Sequence, residues 1–257
     1  MIKRNLNKDY NTVRESVHII NSCSCPVSYA TETGFYFSLN TQLLQEVGYK
    51  PMAFYLKLKS YYRNSTIYDY SLRKIARLAG CSTTLAKKNI ELLKSHGLIE
   101  FHSGNLTLKS LRKFNETKRG IEKVLISNKY TLQEYKDKLL LILLKRKIKQ
   151  QTYTIVKSKR KERTKGNTCK TSVLLAEISD KDMAIGMDKL SEYLNISKST
   201  LSLWVKKMEM CGKLKRISVK ENLGKLKINN DYFNEGYVFV NKLGQSILFF
   251  GSVYTFL

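Results

Sequence analysis

A chain of 257 residues has room for two modest domains or one large one, and its 46 Lys and Arg against 21 Asp and Glu leave a formal charge of +25. Hydrophobic residues at 42%, with 16 Tyr and 10 Phe, can fill cores, while only 2 Pro and 13 Gly exclude collagen-like, Pro-rich or linker-dominated chains. The composition therefore excludes a wholly disordered basic tail and points to a folded protein whose partner is a polyanion.

Residues 1–34 are polar and turn-rich, without sustained periodicity, and read as an N-terminal arm. The run Phe35-Tyr36-Phe37-Ser38-Leu39 reads as a strand, after which Asn40 or Thr41 caps a short helix over 42–47 that Gly48 stops. Pro51 suits the first turn of a helix over 52–63, with Phe54, Leu58 and Tyr61 on one stripe. Ser71 can cap a helix carrying Leu72, Ile75, Ala76 and Ala79, Gly80-Cys81-Ser82 makes a turn, and residues 83–96 form a second helix with Ala86, Ile90 and Leu93 at helical spacing. Gly97 ends it. Leu98-Ile99-Glu100-Phe101 and Leu106-Thr107-Leu108-Lys109, joined by Ser103-Gly104-Asn105, then read as a β-hairpin. Helix, tight turn, helix and hairpin is the order of a winged helix-turn-helix.

Residues 131–151 contain Leu139, Leu140, Ile142, Leu143 and Leu144 and predict a linking helix. A basic run follows, in which Lys157, Lys159, Arg160, Lys161, Arg163, Lys165 and Lys170 stand against the single acid Glu162. Further on the earlier pattern returns: an amphipathic helix over 187–194, the turn Asn195-Ile196-Ser197, a helix over 198–211, Gly212, and a strand from Lys213 to Val219. That strand is expected to pair with Tyr237-Val238-Phe239-Val240 across a long connection. The apolar run 247–257 is too hydrophobic for a solvated tail and should either pack on a core or serve dimerisation.

The two patterns superimpose without a gap at one spacing of 115 positions, as 75 with 190 and 97 with 212 show. Ile75, Ala79, Cys81, Ile90, Leu93 and Ile99 fall on Leu190, Leu194, Ile196, Val205, Met208 and Leu214, while Lys74, Ser82 and Gly97 fall on Lys189, Ser197 and Gly212. Two copies of one module are therefore expected. The reading is a mainly α protein with small β-hairpins (α+β), with an arm over 1–34, a first domain over 35–130, a linking helix and basic segment over 131–170, and a second domain over 171–257.

On residues 72–109, 187–219 and 52–63, about half of the chain, the sequence resembles the tandem winged-helix proteins of plasmids and phages, especially replication initiators with two such domains in one chain. The resemblance implies that one or both domains grip repeated or inverted sites at an origin, that one also serves dimerisation, and that replication machinery is a partner. The long basic insertion departs from that pattern. Transcription regulators share the same domain, which leaves a regulator of a mobile element as the alternative. A structural or assembly protein using winged helices for protein or non-specific nucleic-acid contacts is the third.

Each phosphate neutralised by Lys or Arg releases condensed counterions, so charge gives grip on duplex DNA without reading sequence. Reading falls to the second helix of each pair, whose N-terminal half enters the major groove. With Ala86, Ile90 and Leu93 inward, a 100° step per residue turns Thr84, Lys87, Lys88 and Glu91 outward, beside Ser82 and Thr83 at the helix start. The same rotation in the second copy buries Leu201, Val205 and Met208 and exposes Ser199, Ser202, Leu203 and Lys206, with Lys198 at the leading turn. Leu203 would meet either a thymine methyl group or another protein element. Ser82 and Ser197 are equally explained as helix caps, and Trp204 as a core residue. The basic run is either a solvated loop or a phosphate clamp. Lys109, Arg112 and Lys113, and Lys213, Lys215 and Arg216, are the corresponding candidates on the wings, unless they merely guard strand edges.

Enzymatic motifs are missing: there is no Walker-type loop, no His-Glu-x-x-His and no Gly-x-Ser-x-Gly, so no cofactor and no catalytic group is expected. Cys23 and Cys25 with His18 lack a second ligand pair for zinc. Cys81, Cys169 and Cys211 complete an odd, scattered set that suits a reducing compartment. No apolar run approaches the roughly 20 residues of a membrane span, and the polar N-terminus lacks a signal core, so a cytoplasmic location is expected, that of the host if the gene is a phage's.

Overall fold

A computed structural model describes residues 34–62, 65–111, 120–163, 178–224, 237–240 and 245–257. Residues 1–33, with His18, Cys23 and Cys25, lie outside these, as do Arg112, Lys113, Lys165, Cys169 and Lys170. The fold is mixed α+β with small antiparallel sheets. It divides into two units, and the division falls between Arg146 and Lys147, inside a helix.

In the first unit, strand β1 (Phe35–Asn40) leads into helix α1 (Thr41–Val47). Asn40 is the cap, its side-chain oxygen accepting from the backbone N–H groups of Gln42 at 2.8 Å and Leu43 at 3.4 Å. Strand β1 pairs antiparallel with Ile121–Ile126, a strand the sequence reading did not assign. Helix α2 (Tyr49–Tyr61) corrects the expected single stripe, because every residue from Pro51 to Lys59 is buried. Two of those residues are lysines. The Lys57 ammonium donates to the carbonyls of Asn128 at 2.9 Å and Tyr130 at 2.6 Å, and Lys59 donates to the Ser65 hydroxyl. Burial pushes the Lys59 ammonium below its ordinary pKa.

Against α2 pack the helices α3 (Leu72–Ala79) and α4 (Thr83–Ser95). Strands β2 (Thr66–Ile67), β3 (Ile99–His102) and β4 (Asn105–Leu108) form a sheet in the order β2-β4-β3. The β3–β4 hairpin closes from Ile99↔Leu108 to His102↔Asn105, leaving Ser103 and Gly104 as its loop. Both loop residues have positive φ, 48° and 77°, as a two-residue turn matched to strand twist requires. The strand over 121–126 is β5.

Helix α5 (Leu132–Arg163) runs past the residues 131–151 expected of it and takes in the first part of the basic run. Its start is a reciprocal cap, with Thr131 and Glu134 each bonding the other's backbone N–H, at 3.2 Å and 2.6 Å. Leu132, Tyr135, Leu139, Leu143, Ile148 and Val156 are buried along it. Lys, Arg and Gln are good helix formers, so the loss of a dense apolar pattern after Leu144 does not end the helix.

The second unit continues with helices α6 (Asp180–Met183), α7 (Met187–Leu194) and α8 (Lys198–Met210). Its sheet joins β6 (Leu214–Gly224), β7 (Tyr237–Val240) and β8 (Ser246–Phe256) in the order β6-β8-β7. The expected pairing of the first strand with Tyr237–Val240 is corrected here. Strand β6 pairs with β8 instead, from Leu214↔Phe256 to Gly224↔Ser246, and β7 lies on β8's other side. The apolar segment after residue 246 is therefore the shared middle strand, with Leu248 and Tyr254 buried, which accounts for its composition. Among the described residues no helix is long and apolar enough to cross a membrane.

Candidate nucleic-acid interface

From the end of the leading helix onward the two helix pairs, α3–α4 and α7–α8, agree in their backbone and capping hydrogen bonds at the spacing of 115 positions; at the start they differ, Ser71 capping α3 with its side chain where Gly186 stands before α7. Gly80 and Asn195 end the leading helices in the left-handed conformation, at φ 67° and 51°. The next residue's N–H then reaches back, from Cys81 to the Ala76 carbonyl and from Ile196 to that of Ser191, 3.0 Å in each. Ser82 and Ser197 cap the second helices, each accepting at 3.2 Å from the N–H three residues on, that of Leu85 and of Thr200. The cap reading of these serines holds. At the far ends Gly97 and Gly212 stand at φ 67° and 63°, and Leu98 and Lys213 donate back to the carbonyls of Leu93 and Met208 at 2.9 and 3.0 Å.

The same correspondence holds inside. Ile75 and Leu190, Ala79 and Leu194, Ala86 and Leu201, Ile90 and Val205, Leu93 and Met208, and Ile99 and Leu214 are all buried. It extends to the strands: β2 before the first pair and Ile185 before the second both bridge to the middle strand of their sheet, β4 and β8. Trp204 is a core residue, 5% exposed, standing where the first unit has the buried Asn89.

With those positions inward, the expected outward residues are exposed. On α4 these are Ser82, Thr83, Thr84, Lys87, Lys88 and Glu91, and on α8 Lys198, Ser199, Ser202, Leu203 and Lys206. Each set lies along one helix, so the fold gathers it on one face. Lys198 is held 2.6 Å from Asp188, a contact that ties the start of α8 to α7. The Ser197 hydroxyl also lies within hydrogen-bond reach of Ser199 at 3.0 Å and Thr200 at 2.8 Å, which orders the first turn of α8.

The wing candidates separate by strand face. Lys215 is exposed, whereas Arg216, half-buried, sits 3.3 Å from Glu209 and joins β6 to α8. In the first unit Lys109 pairs with Glu100, and that hydrogen bond, aided by His102, holds the Glu100 carboxyl below its ordinary pKa.

Of the basic run, Lys157, Lys159, Arg160, Lys161 and Arg163 lie on α5 rather than in a loop. Lys157 and Arg160 are exposed and Lys159 is half-buried, 3.7 Å from Asp182; the side chains of Lys161 and Arg163 lie outside those described, as does all of Lys165. Sequence reasoning missed two members of this face. Lys149 and Tyr153 are exposed and, at helical spacing, share a side of α5 with Lys157 and Arg160. The signal was present in the i, i+4 spacing of 149, 153 and 157, but it required the helix to continue. No known protein-family model matches the chain, and a search of curated proteins returns no match.

Proposed function

We propose that this chain binds double-stranded DNA sequence-specifically through two winged helix-turn-helix modules, with α4 and α8 as the helices presented to the major groove. The observation that carries the reading is the doubled exposed face. Two helices with matched caps, stops and buried stripes each leave a polar N-terminal half open, in a chain of net charge +25. The exposed cations of α5 supply sequence-independent grip on phosphates beside it.

Two reading modules in one chain suit a protein that engages repeated or inverted sites, and we place its role at origin binding in the replication of a plasmid or phage. Selection of duplexes from a random pool, followed by mapping onto the source genome, tests both levels. Clustered repeats support the initiator, and a single operator near a promoter transfers the same binding activity to a transcription regulator. Binding without preference, lost uniformly as salt rises, rejects the sequence-specific reading. Replacing Lys87 and Lys88, or Ser202 and Lys206, by Ala should reduce preference for the selected site more than affinity for random duplex. Equal losses on both would remove those residues from the reading role.

A further inference from the structure

The outward positions of α4 and α8 correspond one to one; Ser82 with Ser197 and Thr84 with Ser199 keep a hydroxyl, while the other four differ in chemistry. Thr83, Thr84, Lys87, Lys88 and Glu91 stand where the second unit has Lys198, Ser199, Ser202, Leu203 and Lys206, each at the spacing of 115. All ten are exposed, on helices that share their caps and stops and whose buried faces differ in kind only at Asn89 against Trp204, so these outward differences lie in what is offered to a partner. Lys donates to the O6 and N7 acceptors of guanine and Glu accepts from the N4 amino group of cytosine, whereas Ser serves any base and an apolar side chain covers the thymine methyl.

Leu203 is the sharpest of these differences. It is 71% exposed at the position of Lys88, between the hydroxyls of Ser199 and Ser202 and the ammonium of Lys206. Its neighbours one turn on are Lys206 and Lys207, both exposed, which repel a second copy of this +25 chain. The other exposed apolar residue of α8, Met210 at 74%, lies two turns away, about 10 Å along the axis, at the end remote from the N-terminal half. One isolated leucine ringed by cations and hydroxyls makes a poor protein seam and a good fit to a groove lined with phosphates and methyl groups.

We infer that the two modules read different half-sites: α4 one with guanine and cytosine facing Lys87, Lys88 and Glu91, and α8 one with thymine facing Leu203, which covers the C5 methyl group. The inference rests on the DNA-binding reading above and names the substrate of each of its two faces. Unlike half-sites fix the orientation of the chain even where the two half-sites are inverted, which two identical readers could not do.

The test uses the full chain and the duplexes it selects from a random pool. Remaking a selected duplex with deoxyuridine in place of thymidine removes only C5 methyl groups, and should weaken binding about fourfold for each methyl that Leu203 covers. Leu203→Ser should bind the two duplexes equally, and Leu203→Lys, which copies the first module, should draw a fresh selection toward guanine in that half-site. 7-Deazaguanine removes the N7 acceptor and should weaken the other half-site about tenfold in the intact chain but not in a Lys87→Ala, Lys88→Ala variant. Half-sites of equal composition, indifference of the intact chain to deoxyuridine, or deoxyuridine sensitivity that survives Leu203→Ser each overturn the inference while leaving DNA binding in place. Failure of the DNA-binding reading looks different: no duplex is enriched.

Discussion

The two units share the turn, second-helix cap and exit of a helix pair to within tenths of an ångström in those hydrogen bonds, yet they close their sheets in different ways. In the first, β3 and β4 are joined by two residues and form a short hairpin. In the second, the strand leaving α8 pairs with one that begins only at residue 246, and a third strand, β7, occupies the far side. The helix pair and its exit turn are thus the unit that repeats, while hairpin length and outward side chains vary. Buried positions are constrained by packing at near-crystalline density, and cap positions by backbone geometry; exposed positions answer only to a partner.

Four measurements would sharpen or break this equivalence. The largest effect belongs to Trp204, for which the first unit offers only Asn89: Trp204→Ala should destabilise the second unit by about 3–5 kcal/mol in denaturant unfolding. A loss below about 1 kcal/mol would mean that the indole is not part of the core. Next come the matched exits. Gly97→Ala and Gly212→Ala force a side chain into the left-handed region with no steric neighbour within 4 Å at either site, so each should cost about 1–2 kcal/mol, and by equal amounts. Unequal losses would show that the two exits are not the same structure. Ser82→Ala and Ser197→Ala should each cost about 1 kcal/mol as lost caps. If either changes the preferred DNA site without changing stability, that serine reads bases instead. Smallest is the single neutralisation Lys157→Gln on α5. It should leave stability unchanged and lower the slope of log affinity against log salt by about 0.9, and an unchanged slope would detach that residue from phosphate.

What was legible in the sequence was what is decided locally. Ser71, Ser82 and Ser197 before apolar periodicity, and Gly97 and Gly212 after it, marked the helix pairs because caps and left-handed exits act over a few residues. What was hidden depended on distant partners or on an expectation of amphipathicity. Strand β5 pairs with β1 across 81 to 91 positions, from Asn40↔Ile121 to Phe35↔Ile126, and nothing near Ile121 announces that partner. Helix α2 is buried nearly all round, so a one-sided stripe was the wrong template for it. The Lys- and Arg-rich end of α5 carries no apolar periodicity to mark it as helix, although Lys and Arg are good helix formers. The outward faces of α4 and α8 followed from rotation alone, but the different offers they make became comparable only once both backbones were seen to match.

The middle position of β8 also sets an order of events during synthesis. The first unit's hairpin can close as soon as Leu108 has left the ribosome, whereas β6 must wait for Phe256 before its first residue finds a partner. The second unit therefore completes its sheet after the first, and a premature stop anywhere between the two strands would release a chain with one finished unit and a bare, pairing-competent edge.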